Sequence, residues 1–246
     1  MRVKNACIMF CLLVGNTKST VCDQDPYHLR LDKIRQEIFS CIYKVNAWLD
    51  PETRSGPGSN IKQTTIIRTA LPALLQQLKI TSLLDAPCGD FYWMEKTDLS
   101  SLTYYIGCDI VHDIIIQARK KYQNPERAFM CVDIVSDKLP YADAILCRDC
   151  LPHLTFADIK TTLKNFKRTG ALYLITSTYP LRTQNEDLSM SQELNLWRYR
   201  PLNLQVEPFN FPEPLCIINE GNSEGAGSIK DKSLGVWLLK EIPDYE

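Results

Sequence analysis

Three acids stand where apolar runs end: Asp85, Asp109 and Asp133. A carboxylate at the carboxyl end of a buried strand faces the open edge of a sheet, where it can accept hydrogen bonds from a ligand's hydroxyl or amino groups. The first acid opens Asp85-Ala86-Pro87-Cys88-Gly89-Asp90, a tight Pro/Gly turn that brings backbone close to whatever lies beyond the strand. Asp109 follows Gly89 by 20 residues, the spacing at which an acid accepts both hydroxyls of a ribose in dinucleotide-binding folds. It could equally cap the following helix, a task that Asp113 could also perform. A fourth group, Arg148, Asp149 and His153, joins a guanidinium, a carboxylate and an imidazole within six residues. An imidazole titrating near ~6.5 is suited to general-base work, with Asp149 four residues earlier to orient it and Arg148 to hold an anionic group. The alternative is that His153 only caps or packs the start of a helix.

These groups need strands and helices to position them. Asp25-Pro26 predicts a helix start, with Leu29, Ile34, Ile38, Ile42, Val45 and Leu49 as an apolar stripe running to about Trp48. Pro51 ends it. Residues 52–60, with Ser55-Gly56-Pro57-Gly58-Ser59, are a turn-rich connector, either a flexible link or a loop whose N–H groups cover part of a ligand site. A second helix is expected over 60–78, with Ile61, Ile66, Ile67, Leu71, Leu74, Leu75 and Leu78 inward and Pro72 kinking or dividing it. Strands are expected over 80–85, 104–109, 128–132, 142–148 and 171–178. Helices over 91–96, over 111–122 and from Thr155 to the stop at Gly170 separate them. This alternation requires a parallel, doubly wound sheet. After Pro180 the pattern lapses for about 30 residues, long for a plain connection. Asn185, Asp187, Trp197, Arg198, Tyr199, Arg200 and Asn203 make that stretch a lid or polar pocket, or else a surface excursion anchored by Trp197. Strands over 215–219 and 235–240, joined by a Gly, Ser and charge-rich loop, read as an antiparallel hairpin closing the sheet.

The motif order resembles that of class I S-adenosylmethionine-dependent methyltransferases. The Asp85 to Gly89 turn resembles their first motif in its Asp-x-Pro-Cys-Gly form, with Pro87 and Phe91 at the places of the usual first and third glycines. Cys147, Asp149, Leu151, His153 and Leu154 fall in register with the family's Cys-x-Glu-x-Leu-x-His-hydrophobic signature, Asp replacing Glu. The resemblance spans about residues 80–240. It implies an α/β, Rossmann-like sheet of seven mostly parallel strands with a C-terminal antiparallel hairpin, preceded by N-terminal helices. The implied division is a signal-like or disordered segment 1–24, a helical extension 25–79 and the methyltransferase domain 80–246. S-adenosylmethionine is the implied cofactor, with Asp85, Ala86, Pro87, Cys88 and Gly89 near its methionine end and Asp109 and Ile110 at the ribose. Asp133 would bond the adenine amino group, Ile134 would pack on the ring, and Arg148 would border the site. The methyl group would face the segment after the fourth strand, making His153, Asp149 and Arg148 the catalytic candidates.

Bulk properties narrow the partners. A chain of 246 residues holds one full α/β domain, and 45% hydrophobic with 23% charged residues is ordinary globular composition. A net charge of -1 offers no field for a nucleic-acid backbone. What these exclusions leave is a small polar acceptor, such as a hydroxyl of a sugar or metabolite. Cys108, Cys131 and Cys147 lie in apolar runs and read as buried thiols. The Cys147/Cys150 pair has no partner motif at zinc spacing and reads as packing. The apolar run 6–14 after Arg2 and Lys4 has the outline of a secretory signal, or is a buried N-terminal element, and it is too short to span a bilayer. A cofactor made in the cytoplasm favours a cytoplasmic chain. Two other readings share the fold: a non-catalytic cofactor-binding module, and aminopropyl transfer, for which no acid-rich polyamine pocket is evident.

Overall fold

A computed structural model of the chain describes residues 26–188, 199–221 and 229–245. The signal-like run, Trp197, Arg198 and the centre of the hairpin loop lie outside the described residues. The elements in order are α1 (Pro26–Val45), α2 (Thr65–Gln77), β1 (Ser82–Asp85), β2 (Tyr104–Asp109), α3 (His112–Tyr122) and β3 (Arg127–Cys131). They continue with β4 (Ala144–Cys147), α4 (Phe156–Arg168), β5 (Tyr173–Thr178), β6 (Cys216–Asn219) and β7 (Ser233–Leu238). The strands form one seven-stranded sheet in the order β3-β2-β1-β4-β5-β7-β6. The first five strands are parallel, and β7 runs antiparallel between β5 and β6. The expected sheet and closing hairpin are therefore present.

Both faces of the sheet are covered, so its central strands are apolar along their whole length, as β4 is at Ala144–Cys147. Successive side chains alternate between two buried clusters. Leu84, Ile145 and Leu174 pack with Ile159, Leu163 and Phe166 of α4 on one face. Leu83, Leu146 and Ile175 pack with Leu71 and Leu75 of α2 and Ile115 and Ala118 of α3 on the other. The Thr155 side chain accepts from the Asp158 N–H at 3.1 Å, capping α4 as its sequence predicts. Helix α2 starts five residues later than expected and passes through Pro72 unbroken.

One expectation for α1 is corrected. Ile34, Val45 and Leu49 face solvent, at 40%, 57% and 76% exposure, while Arg35 and Ile42 are buried. The inward face is selected by an ion pair and by aromatic rings over a cleft, not by the most apolar stripe. Among the described residues no helix is long and apolar enough to cross a membrane.

Candidate active site

A cleft opens at the carboxyl ends of β1, β2 and β4, where the strand order reverses between β1 and β4. It encloses about 830 Å³ when the open solvent at its mouth is included. The turn after β1 is bonded to both neighbouring strands. The Ala86 N–H donates to the Leu146 carbonyl at 2.9 Å and the Cys88 N–H to the Cys108 carbonyl at 2.8 Å. The Gly89 N–H donates to Asp109 Oδ2 at 3.1 Å, and the Val111 N–H to Asp109 Oδ1 at 2.9 Å.

Gly89 has a φ of +56°, and a Cβ there would lie 2.4 Å from Ser55 Oγ, so the turn needs glycine for conformation and for space. Phe91 keeps a left-handed backbone with φ +62°. Its ring is buried between Tyr105, Tyr122 and Phe129 at centroid distances of 4.9–5.3 Å, and Arg127 stacks on it at 4.8 Å. Packing thus holds a conformation that glycine would adopt freely.

The two carboxylates of this half are buried and form no ion pair among the described residues, although Arg148 weakly favours the ionised form of Asp85. Burial pushes Asp85 up to about 7, against the opposing bond from the Tyr105 hydroxyl, which donates to Asp85 Oδ2 at 2.5 Å. Burial likewise raises Asp109 to about 6, although the Val111 and Gly89 N–H groups favour its ionised form.

The chain before α2 roofs this half. Phe39, Tyr43, Trp48, Ser55 and Ser59 line the cleft. Asp90 fastens the connector: it accepts from the Thr53 hydroxyl at 2.8 Å, the Arg54 N–H at 2.9 Å and the Ser55 hydroxyl at 3.0 Å. Helix α1 is fastened by Arg35, which pairs with Asp133 at 2.8 Å and Asp158 at 3.4 Å.

Asp133 is accordingly not a cleft residue. Its carboxylate accepts from Arg35, from the Val135 N–H at 3.0 Å and from the Ser136 hydroxyl at 3.2 Å. Ile134 and Ala86 are buried in the apolar cluster of the α4 face. Of the predicted site residues, Asp85, Pro87, Cys88, Gly89, Asp109, Ile110, Arg148, Asp149 and His153 meet in the cleft.

The other half is a buried charge network. Arg148 forks onto Glu220, with Nη2 to Oε2 at 2.7 Å and Nε to Oε1 at 3.2 Å. It also donates to the Gly58 carbonyl at 2.7 Å and pairs with Asp149 at 3.2 Å. Lys232 pairs with Asp149 at 2.5 Å and with Glu220 at 3.6 Å. Arg148 is therefore committed to the protein and is not an open anion holder. Asp149 sits at φ +55°, a left-handed position that costs a non-glycine residue energy. Burial pushes its pKa upward, but Arg148 and Lys232 outweigh that and hold it well below the usual carboxylate range.

Asp149 Oδ1 also receives the Tyr199 and Ser177 hydroxyls, each at 3.4 Å. Asp149 is thus bonded to Arg148, Lys232, Ser177 and Tyr199, and the nearby His153 also helps to hold its carboxylate ionised. The His153 ring packs against Trp48, Tyr199 and Phe39 at 5.8, 5.4 and 6.3 Å and is 7% exposed.

Glu220 and Lys232 are the residues that sequence reasoning missed. The available signal was a charge at each inner end of a hairpin whose strands are otherwise apolar, Glu220 after β6 and Lys232 before β7. Phe39, Tyr43 and Trp48 were also missed as site residues, because they read only as part of a helix.

No protein-family model matches the sequence, and no curated protein sequence matches it either. In structure the chain is similar to the N-methyltransferase NodS from Bradyrhizobium japonicum WM9, with 13% identity and a TM-score of 0.51 over 73% of this chain and 98% of that one. It is also similar to the methyltransferase domain of bacterial CtHen1-C, with 15% identity and a TM-score of 0.50 over 73% of this chain and 99% of that one. Sheet order, antiparallel β7 and these likenesses agree: the chain has the fold of the class I S-adenosylmethionine-dependent methyltransferases.

Proposed function

We propose that the chain binds S-adenosylmethionine in this cleft and transfers its methyl group to a small polar acceptor, a hydroxyl of a sugar or metabolite. The observation that carries the reading is the meeting of Asp85, Gly89 and Asp109 at the β1/β4 reversal, under an aromatic roof. The cofactor supplies an electrophilic methyl group on a sulfonium centre. Asp109 faces the cleft with a carboxylate that can accept ribose hydroxyls, and Ile110, Val111 and Ile114 give an apolar wall beside it. Asp85 is a buried acid whose ionised form a nearby cation stabilises. Phe39, Trp48 and Tyr43 exclude water. His153 lies on the Asp149 side, where an acceptor would enter, and takes the proton of a hydroxyl nucleophile. Methyl transfer mainly requires that nucleophile and methyl be held close and in line, which a roofed cleft with a rigid floor provides.

Calorimetry tests this reading. Wild-type chain should bind both S-adenosylmethionine and its demethylated product, and His153→Ala should bind both with nearly unchanged affinity while losing transfer of labelled methyl to cell extract. Absence of binding to either compound ends the methyltransferase reading; equal loss of binding and transfer in the variant ends the base assignment.

A further inference from the structure

Tyr179 follows directly on β5 and is wholly buried. Its hydroxyl has no hydrogen-bond partner among the described residues. Buried polar groups are almost always paired, and an orphan donor calls for an occupant or a functional reason. The Tyr179 N–H donates to the Leu202 carbonyl at 2.9 Å, which holds the backbone, and the buried ring meets Tyr199 edge-on at 6.1 Å.

Tyr199 in turn touches His153 at 5.4 Å, and His153 lines the cleft. Its hydroxyl reaches Asp149 Oδ1 only at 3.4 Å, near the limit of a hydrogen bond and therefore weak. Tyr199 is thus a loosely bonded ring between the cleft and the orphan hydroxyl. Burial first, then the Asp149 and Glu220 carboxylates, raise the Tyr179 pKa, so the phenol stays a neutral donor. Those carboxylates are engaged by Arg148 and Lys232 and leave the phenol unpaired.

The chemistry of a partner follows. The charges of Asp149 and Glu220 are balanced by Arg148 and Lys232, so the surroundings draw in neither an anion nor a cation, and a cation has no lone pair to offer. An alcohol or phenol oxygen accepts from Tyr179 and can donate its own hydrogen toward Asp149.

We propose that Tyr179 is an acceptor-binding residue, whose hydroxyl donates to an uncharged alcohol or phenol oxygen of the methyl acceptor as Tyr199 gives way. This rests on the methyltransferase reading and narrows its acceptor.

The test is Tyr179→Phe in the full chain, which keeps the ring and deletes the orphan donor. Thermal unfolding without ligand should give an unchanged or higher Tm. A fall of more than about 3 °C would show a structural partner for the hydroxyl and overturn the proposal. Transfer from S-adenosylmethionine labelled in its methyl group is then followed over a dilution series of cell extract. The variant should need about five- to tenfold more extract for half-maximal transfer, at an unchanged plateau, with calorimetric cofactor affinity within about twofold of wild type. Equal half-saturation overturns the tyrosine assignment alone. A wild-type chain that does not bind S-adenosylmethionine defeats the function reading instead, by a separate measurement.

Discussion

At the Asp109 end of the cleft the floor comes from one stretch of chain, the β1 turn through the start of α3. The Asp149 end is assembled from Gly58, Arg148, Asp149, Tyr199, Glu220 and Lys232, with Arg148 bonded to Glu220 across 72 residues and Lys232 to Asp149 across 83. The electrostatics differ in the same way. Asp85 and Asp109 are buried with backbone and phenol donors and are pushed toward neutrality. Asp149 is buried with two cations and is held ionised. The first end is poorly compensated by the protein; the second is neutralised by the fold itself. A buried charge network has its best-attested use in specifying one arrangement of the chain. Here it fixes the hairpin, the β4 end and the N-terminal connector to one another.

The largest expected effect breaks that second end. Glu220→Leu leaves Arg148 and Lys232 facing a single carboxylate and should cost about 3–5 kcal/mol of stability, the scale for an uncompensated buried charge. The double variant Glu220→Leu/Lys232→Met removes one charge of each sign, and should recover at least half of the loss in urea unfolding. If the single variant unfolds like wild type, the network does not hold the hairpin and the contrast between the two ends collapses.

The two ends should also titrate with opposite sign. Asp85 binds its proton more tightly in the folded chain, at about 7 against 3.8. The folded state therefore carries more protons between these values, and stability from this group falls as pH rises through the window. From pH 5 to 7 the fall is about 2 kcal/mol for such a shift, with Asp109 adding in the same direction. Asp149 behaves oppositely, its depressed folded pKa giving stability above the unfolded value that is lost as pH falls. Asp85→Asn should flatten the decline between pH 5 and 7 and leave the acid limb unchanged. A wild-type stability that is flat from pH 5 to 7 would show Asp85 already compensated and the first end no different from the second.

How much of this could be read from the chain follows the same division. β2 was expected at 104–109 and is found there, because a short apolar, aromatic run bounded by polar residues is a local signal. Asp85, Gly89 and Asp109 could be singled out because one βα turn and the next strand end deliver them. Asp133 looked equivalent, since an acid after a strand carries no mark of Arg35, 98 residues earlier, which pairs with it. The α1 stripe failed for the same reason: Arg35 turns inward for ion pairs that no periodicity reports. Glu220 and Lys232 became legible as a pair only once β7 was inserted beside β5.

Phe91 offers the smallest effect and the finest test of the local end. Its left-handed backbone is strained by about 1–2 kcal/mol for a residue with a Cβ, and its packing against three rings must offset that. Phe91→Ala keeps the strain and deletes the ring, whereas Phe91→Gly deletes both. The glycine variant should therefore be the more stable of the two by about 1 kcal/mol, reversing the usual order in which glycine is the worse replacement. Measured by urea unfolding, that reversal would show that the turn retains the backbone conformation of a three-glycine loop and has replaced only the means of holding it. If alanine is the more stable, the turn relaxes when the ring is lost, and the conformation belongs to Phe91 and not to the turn.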